Sequence, residues 1–276
     1  MDYNSSIINW YARVCDEYNA CDSLIPEVQI SGANNLSDAN VTLRGIMDYD
    51  LSGYSVSSGD FNGDGIEDVL IGAYGADPNG LSSGETYIVY GSSILPETIE
   101  LSDANVILKG IVADDYSGYS VSSGDFNGDG IEDVLIGAYG ANPNGNSAGG
   151  TYIVYGGPAL SETIELSDAN VILGGIIAND YSGDSVSSGD FNGDGIEDVL
   201  IGAYLADPND NDAGETYIVY GGSTFSGIID LLNANVTLNG ISVGDYSGYS
   251  VSSGDFNGDG IEDVLICIKS YNFFHR

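Results

Sequence analysis

SVSSGDFNGDGIEDVLI stands at residues 55–71 and returns unchanged at residues 120–136, 185–201 and 250–266. The spacing between successive copies is 65 residues each time. Neighbouring stretches recur with it, namely DYSGY before the string and GETYIVYG and LSDANVIL after it. A fixed period of this length is typical of a repeat architecture in which each repeat forms one structural unit.

The residue pattern within each repeat predicts four short strands. In the first repeat, residues 53–58 alternate apolar and polar side chains, and residues 69–73 form an apolar run followed by small residues. Residues 87–90 are β-branched or aromatic, and residues 105–108 supply a fourth apolar segment. Turn-forming Gly, Asn, Asp and Pro residues fill the gaps, and no helical period lies between them. The pattern predicts an all-β chain, a β-propeller with one four-stranded blade per repeat.

The ends of the repeat region leave two arrangements open. LSDANVTL at residues 36–43 matches the fourth strand, whereas the last repeat stops after its second strand. The N-terminal strand could complete that last blade and close a ring of four, with residues 270–274 as its third strand. Alternatively, the blades belong to a larger ring. We therefore expect a non-repeat segment at residues 1–35, the propeller at residues 36–268 and a divergent tail at residues 269–276.

The segment DFNGDGIED inside the repeated string has the spacing of a cation-binding loop. Oxygen-bearing side chains stand at its positions 1, 3, 5 and 9, and the backbone carbonyl at position 7 adds a fifth donor. Glycines at positions 4 and 6 allow the tight backbone that such a loop needs. Because every donor is a hard oxygen, the loop favours Ca²⁺ over zinc or copper. An EF-hand is excluded, since its position 12 would be Ile71 and a strand, not a helix, follows.

Four such loops, at residues 60–68, 125–133, 190–198 and 255–263, predict one Ca²⁺ per repeat. The candidate ligands are Asp60, Asn62, Asp64, Ile66 and Asp68; Asp125, Asn127, Asp129, Ile131 and Asp133; Asp190, Asn192, Asp194, Ile196 and Asp198; and Asp255, Asn257, Asp259, Ile261 and Asp263.

The charge of the chain excludes several classes of partner. The 276 residues carry 42 acidic and 5 basic side chains, a formal net charge of −37. A nucleic-acid interface needs Lys and Arg in number, so we expect no nucleic-acid partner. An anionic membrane surface would repel the chain, and no apolar run reaches the roughly 18 residues of a membrane span. Because 16 of the 42 acids lie in the four loops, divalent cations are the expected partners of that charge.

The stretch SGYSVSSGDFNGDGIEDVLIGAYGADPNG at residues 52–80 resembles an FG-GAP repeat. This is the blade unit of the integrin α-subunit propeller and of many prokaryotic relatives, and the resemblance extends over residues 36–266. It implies that the acidic loop joins the first two strands of each blade and binds Ca²⁺ on one face of the propeller. The family's ring usually has seven blades, and four repeats are visible here. Integrin identity does not follow, because nothing in the sequence indicates a β-subunit partner.

No catalytic set is apparent, so we expect a chain that is not an enzyme. The only histidine, His275, lies in the divergent tail, and the repeated carboxylates are assigned to metal. The resemblance implies an extracellular or cell-surface adhesion or protein-interaction module, with a protein or glycan ligand on a propeller face. One alternative is a carbohydrate-binding propeller with Tyr74, Tyr139 and Tyr204 as stacking platforms; another is the non-catalytic domain of a larger surface enzyme.

The N-terminal residues and the cysteines give weaker signals. Residues 1–12 carry no basic residue ahead of their short apolar patch, so they do not resemble a secretory signal. Cys15 and Cys21 are close enough in sequence to pair in an oxidising compartment, which leaves Cys267 over. Whether the first two pair stays open.

Overall fold

A computed structural model describes residues 12–15, 21–24, 39–143, 147–209 and 211–269, with backbone only for the first two ranges. In these residues the chain forms β-strands and three short 3-10 helices, at Leu101–Asp103, Leu166–Asp168 and Leu231–Asn233. The strands are β1 (Ala12–Cys15), β2 (Cys21–Leu24), β3 (Val41–Arg44), β4 (Ser55–Gly59), β5 (Asp68–Ala73), β6 (Glu85–Val89), β7 (Thr98–Glu100), β8 (Val106–Lys109), β9 (Ser120–Gly124), β10 (Asp133–Ala138), β11 (Gly150–Val154), β12 (Thr163–Glu165), β13 (Val171–Gly174), β14 (Ser185–Gly189), β15 (Asp198–Ala203), β16 (Glu215–Val219), β17 (Gly227–Asp230), β18 (Val236–Asn239), β19 (Ser250–Gly254) and β20 (Asp263–Cys267).

Each of the first three repeats forms one four-stranded antiparallel blade. Blade 1 has the order β4-β5-β6-β8, blade 2 the order β9-β10-β11-β13, and blade 3 the order β14-β15-β16-β18. The fourth repeat contributes the hairpin β19-β20. The prediction of an all-β propeller of four-stranded blades is confirmed, and the four predicted strands of the first repeat lie within three residues of β4, β5, β6 and β8.

One element was missed by the sequence analysis. A strand of three or four residues precedes the outer strand of each of the first three repeats and pairs in parallel with the preceding outer strand: β7 with β3, β12 with β8, and β17 with β13. The buried leucine that follows each short strand, Leu101, Leu166 or Leu231, opens a 3-10 helix. Neighbouring repeats are therefore joined at the rim of the propeller by backbone hydrogen bonds.

A second connection joins neighbouring repeats at their inner strands. The Ser55 Oγ accepts a hydrogen bond of 2.9 Å from the backbone N–H of Val121, and the Ser123 Oγ donates one of 2.6 Å to the Ser58 carbonyl. The same contacts join β9 to β14 and β14 to β19. These hydrogen bonds account for the serines of SVSSG, because larger side chains there would separate the inner strands.

The blades pack face to face through apolar side chains. Phe61 and Leu70 of blade 1 lie in one cluster with Val134 and Ile136 of blade 2, and all four are fully buried. The following seam repeats this arrangement between blades 2 and 3. At the fourth repeat the outward face of the hairpin is uncovered in the described structure, where Phe256 is 63% exposed and Leu265 is 55% exposed.

Close backbone approaches fix the seams between blades. A Cβ atom on Gly137 would lie 2.1 Å from the carbonyl oxygen of Gly183 in the next blade. Gly72 and Gly202 stand in the same relation to the following repeat. The glycine of the repeated IGA sequence is therefore a steric requirement of blade packing and not a turn residue.

Ring closure is not seen in the described residues. The N-terminal sheet has the order β2-β1-β3-β7, and the hairpin β19-β20 forms a separate sheet. The proposed third strand at residues 270–274 lies outside the described residues, so the choice between a closed ring of four and a larger ring stays open. In the N-terminal sheet, β1 and β2 place Cys15 directly opposite Cys21 in register.

Candidate metal centre

The four acidic loops lie at one end of the blades. Each connects the first strand of its repeat to the second, as β4 leads into the loop at residues 60–68 and β5 leaves it. Because the inner strands of successive repeats lie side by side in the same sense, the four loops share one face of the propeller. The residues before the first strand, including the tyrosine-rich DYSGY sequence, lie at the opposite face.

The first aspartate of each loop organises its backbone. In blade 1, Asp60 Oδ1 accepts hydrogen bonds from the N–H groups of Gly63 at 2.9 Å and Asp64 at 3.0 Å, and Oδ2 accepts one from Gly65 at 2.8 Å. Both glycines have positive φ, +75° and +85°. Aspartates Asp125, Asp190 and Asp255 make the same bonds in their own loops.

The other predicted side-chain ligands lie in the same network. Asn62 Oδ1 accepts from the Asp64 N–H at 2.8 Å, and Asp64 Oδ1 accepts from the Ile66 N–H at 2.9 Å. Asp68, at the loop's end, accepts from the N–H groups of Phe61 at 3.0 Å and Gly91 at 2.8 Å. Backbone N–H donors therefore hold the three aspartates of every loop, and in the first, second and fourth loops they also hold the asparagine oxygen, as preorganised ligands require.

Burial raises the pKa of the last aspartate in each of the first three loops. Desolvation, with a smaller contribution from the neighbouring loop aspartates, raises the pKa of Asp68 to about 6 and that of Asp133 to about 7, although backbone N–H donors lower both. The pKa of Asp198 rises to about 6 for the same reasons. A bound divalent cation would favour the ionised form of these carboxylates. The donor chemistry and this uncompensated charge therefore fit a hard cation such as Ca²⁺.

The structure does not itself show a coordination sphere. Across the described residues, no group of three or more His, Cys, Asp or Glu side chains converges in an arrangement that could hold a metal ion. The loop carboxylates point their oxygens at backbone N–H groups, and ligation by the four side chains and the position-7 carbonyl, such as that of Ile66, stays a prediction. The carboxylate oxygens keep lone pairs beyond these bonds, because each can accept more than one hydrogen bond or ligand contact.

The glutamate at position 8 of each loop was not assigned a role from the sequence. Glu132 Oε2 accepts a hydrogen bond of 3.1 Å from the Asp60 N–H in the preceding loop, and it fills the space that a side chain at Gly59 would occupy. Desolvation, followed in size by the negative charge of Glu262, raises the pKa of Glu197 to about 7. These glutamates connect adjacent loops, and the recurrence of GIED in all four copies was the available signal.

The opposite face carries a continuous cluster of tyrosines. Tyr74 packs against Tyr54 and Tyr119 with ring centroids 4.8 and 5.0 Å apart, and the Tyr54 hydroxyl donates to the Tyr119 hydroxyl at 2.9 Å. Tyr139 and Tyr204 occupy the same position in the next two blades and also contact neighbouring tyrosines. All three recurrent tyrosines are half-buried, so their recurrence is explained by packing between blades.

Two residues interrupt this tyrosine cluster. Asp184 replaces the tyrosine found at residues 54, 119 and 249, and desolvation raises the pKa of its carboxyl group to about 7 although Lys269 lowers it. Lys269 stands where the first three repeats have Tyr74, Tyr139 and Tyr204, and its Nζ lies 3.9 Å from the ring centroid of Tyr249. The ammonium group therefore takes the place of an aromatic ring and makes a cation–π contact with the neighbouring one.

Within the described part of the chain, no helix is long and apolar enough to cross a membrane.

Comparison with known families now identifies the repeat. The FG-GAP repeat family matches residues 52–90, 117–154, 182–219 and 247–267, which cover the first three strands of each full blade and the hairpin of the fourth repeat. The chain is an FG-GAP repeat protein. The short parallel strands and the outer strands lie between the matched segments.

Relatives of two kinds share these repeats. The chain is 28% identical over 182 residues to the phosphatidylinositol-glycan-specific phospholipase D of Bos taurus, covering 64% of this chain and 22% of that protein. It is 27% identical over 242 residues to integrin alpha pat-2 of Caenorhabditis elegans, covering 79% of this chain and 18% of that protein. It is 31% identical over 159 residues to integrin alpha-5 of Xenopus laevis, covering 55% of this chain and 14% of that protein. The chain thus spans less than a quarter of each of these relatives.

Proposed function

We propose that the chain is a calcium-binding propeller module, not itself catalytic, that binds a protein partner at the cell surface or outside the cell. The FG-GAP repeats and the integrin alpha relatives support a protein-interaction module. The calcium site, the extracellular location and the absence of catalysis are the parts that this proposal adds.

The observation that carries the proposal is the fourfold loop. Three carboxylates are held by backbone N–H groups at the same positions in every copy, which places 12 of the 42 acidic side chains in four proposed ion sites. Without a cation, the three carboxylates of one loop repel one another. Binding of Ca²⁺ would offset this repulsion and add to the stability of the folded chain by mass action.

Calorimetric titration of the chelator-treated protein with Ca²⁺ tests the proposal. We expect four sites, and three sites in the variant Asp129→Ala, which removes one carboxylate of the second loop. The matched control is Asp168→Asn, an exposed position in a 3-10 helix, which is expected to keep four. Thermal melting with and without chelator should show a lower midpoint in its presence. Absence of binding heat together with an unchanged midpoint would contradict the calcium proposal.

A module of a larger surface enzyme is a second candidate, and the comparisons favour it in one respect. A protein named phosphatidylinositol-glycan-specific phospholipase D shares the repeats, and this chain covers 22% of its length. In that case the propeller would hold a partner or substrate for a catalytic unit elsewhere. The gene's complete coding sequence distinguishes the two candidates.

The carbohydrate-binding alternative has less support from the structure. Its candidate platforms, Tyr74, Tyr139 and Tyr204, have their rings against other tyrosines. A sugar needs an open aromatic face, so we expect a glycan array to show no binding. Binding that Tyr139→Ala abolishes would instead favour the carbohydrate-binding function.

A further inference from the structure

Neighbouring acidic loops are bonded to each other across the seams between blades. Glu132, at position 8 of the second loop, accepts a hydrogen bond of 3.1 Å from the backbone N–H of Asp60, the first residue of the first loop. At the next two seams the matching glutamate is also bonded to the first aspartate of the preceding loop, here through its backbone: the Glu197 N–H donates to the Asp125 carbonyl at 3.2 Å, and the Glu262 N–H donates to the Asp190 carbonyl at 3.3 Å. Position 8 of one loop therefore contacts position 1 of the loop before it.

The isoleucine at position 7 packs on the preceding loop as well. A Cβ atom on Gly63 would lie 3.1 Å from the Cδ1 atom of Ile131, and for the matching glycines of the second and third loops the distances are 3.0 and 3.2 Å. Glu132 also needs a glycine opposite it, because a Cβ atom on Gly59 would lie 2.0 Å from its Oε2. Residues 131 and 132 therefore have their backbone in the second loop and their side chains against the first.

A turn of blade 2 joins the same two loops on the ligand side. The Gly156 N–H donates to Oδ1 of Asp133, a proposed ligand of the second loop, at 2.9 Å. The next residue, Gly157, donates its N–H to the Phe61 carbonyl at 2.8 Å. Phe61 stands between the first two proposed ligands of the first loop. The same pair of bonds recurs at the following seam, so the connection belongs to the repeat.

The occupancy of one loop should therefore affect the next. Without a cation, the three carboxylates of the second loop repel one another and favour looser arrangements of its backbone. A bound cation would fix that backbone, and with it the two side chains that hold the first loop in place. By linkage, occupancy of the first loop raises the affinity of the second by the same factor. Repulsion between the two cations acts in the opposite sense, but the loops are mostly exposed and solvent screens it.

We propose that calcium binding is cooperative between neighbouring loops and that Glu132 is a positioning residue for the first loop. The inference rests on the calcium-binding function proposed above and adds how its sites are coupled. Glu132 is not itself a proposed ligand. Its bond to the Asp60 N–H preorganises the residue whose side chain organises the first loop, and ion binding in the second loop holds Glu132 where that bond can form.

A chain with two working loops tests the coupling. Asp194→Ala and Asp259→Ala silence the third and fourth loops, and calorimetric titration with Ca²⁺ then follows the first two. We expect the second ion to bind about tenfold more tightly than the first, after correction for the number of free sites, which is usual for coupled sites. In this background Glu132→Ala should lower the ratio to about twofold, because one hydrogen bond to a charged group is lost while the connection through residues 156 and 157 remains.

Two further variants separate positioning from charge. Glu132→Gln keeps an oxygen acceptor for the Asp60 N–H and should keep most of the tenfold ratio. Glu67→Ala removes the carboxylate at position 8 of the first loop, which is exposed and contacts no preceding acidic loop among the described residues, and should leave the ratio unchanged. If Glu132→Gln behaved like Glu132→Ala, the effect would come from the charge of the carboxylate, and the positioning role would be wrong.

The chain with all four loops gives a second measurement that does not depend on silenced sites. Its calcium isotherm should have a Hill coefficient above 1, and Glu132→Ala should bring that coefficient closer to 1. Circular dichroism establishes that each variant is folded. Calcium binding with no gain in affinity for the second ion, or with a gain that Glu132→Ala leaves unchanged, overturns the coupling but not the calcium site. Absence of calcium binding in the parent chain and all variants overturns both proposals.

Discussion

Phe126 and Phe256 occupy the same position in two repeats, but only one is covered by a following blade. Phe126 is fully buried and packs with Leu135 and Val171, whereas Phe256 is 63% exposed. We predict that Phe126→Ala lowers the free energy of unfolding far more than Phe256→Ala. The pair isolates the contribution of the next blade, because the local sequence around both residues is the same.

The expected magnitudes follow from burial. Replacing a fully buried phenylalanine by alanine costs about 3–5 kcal/mol, including the cavity left behind. A phenylalanine that is one-third buried loses about 1–2 kcal/mol of transfer free energy and leaves no cavity. The backbone N–H bonds from Phe126 to Asp133 and from Phe256 to Asp263 do not involve the side chain, so the acidic loops are retained in both variants.

Urea unfolding followed by far-ultraviolet circular dichroism measures both changes, with Ca²⁺ held in excess so that metal occupancy is equal. Stability in a repeat protein is close to a sum of repeat and interface contributions, so the midpoint reports the loss at one seam. Equal losses for the two variants would refute the reasoning, since they would show that Phe256 is as covered in solution as Phe126.

Two further predictions concern the seams and the tyrosine face. Gly137→Ala should destabilise the chain by about 2 kcal/mol or more, because its Cβ would lie 2.1 Å from the Gly183 carbonyl oxygen. The control Gly244→Ala, at a residue with positive φ but only ordinary contacts, should cost about 1 kcal/mol in the same urea unfolding experiment. Equal costs for the two variants would contradict the steric argument. The folded-state pKa of Asp184, about 7, lies above its ordinary value of 3.8, so the folded chain keeps a proton there and loses stability as pH rises from 4 to 7. Asp184→Asn removes this loss, and its melting midpoint relative to the parent should rise over that range and level off above it; parallel curves would contradict the assignment.

The strands of a blade could be predicted because their patterns are local. The alternation in SVSSG and the apolar run of DVLIGA each specify a strand within the repeat, and the turn between them carries its own glycines. The strand Thr98–Glu100 could not be predicted in this way. Its three residues are too few to show a period, and its strand partner among the described residues, β3, precedes the first full repeat.

The same limit applies to the candidate metal centre. The spacing of oxygen-bearing side chains in DFNGDGIED was sufficient to predict the loop and its candidate ligands. The bond from the Asp60 N–H to Glu132 was not accessible, because it joins residues 72 positions apart across a seam between blades. Similarly, the effect of Lys269 on Asp184 depends on the packing of the fourth repeat against the third. Ligand spacing is encoded within a loop, whereas its electrostatic surroundings come from the neighbouring blade.

The joints between blades determine how the chain can grow. Each repeat offers a strand edge and seryl oxygens to the repeat after it, and supplies the matching strand and N–H groups to the repeat before it. A duplicated segment of 65 residues therefore contains both partners of the inner-strand contact and both partners of the outer-strand pairing, at whichever residue of the repeat it begins. An added repeat would therefore pair with its neighbours at both the inner and the outer strands through the same contacts that the existing repeats already make. Because each repeat carries both partners of these contacts, the four copies can remain nearly identical in sequence.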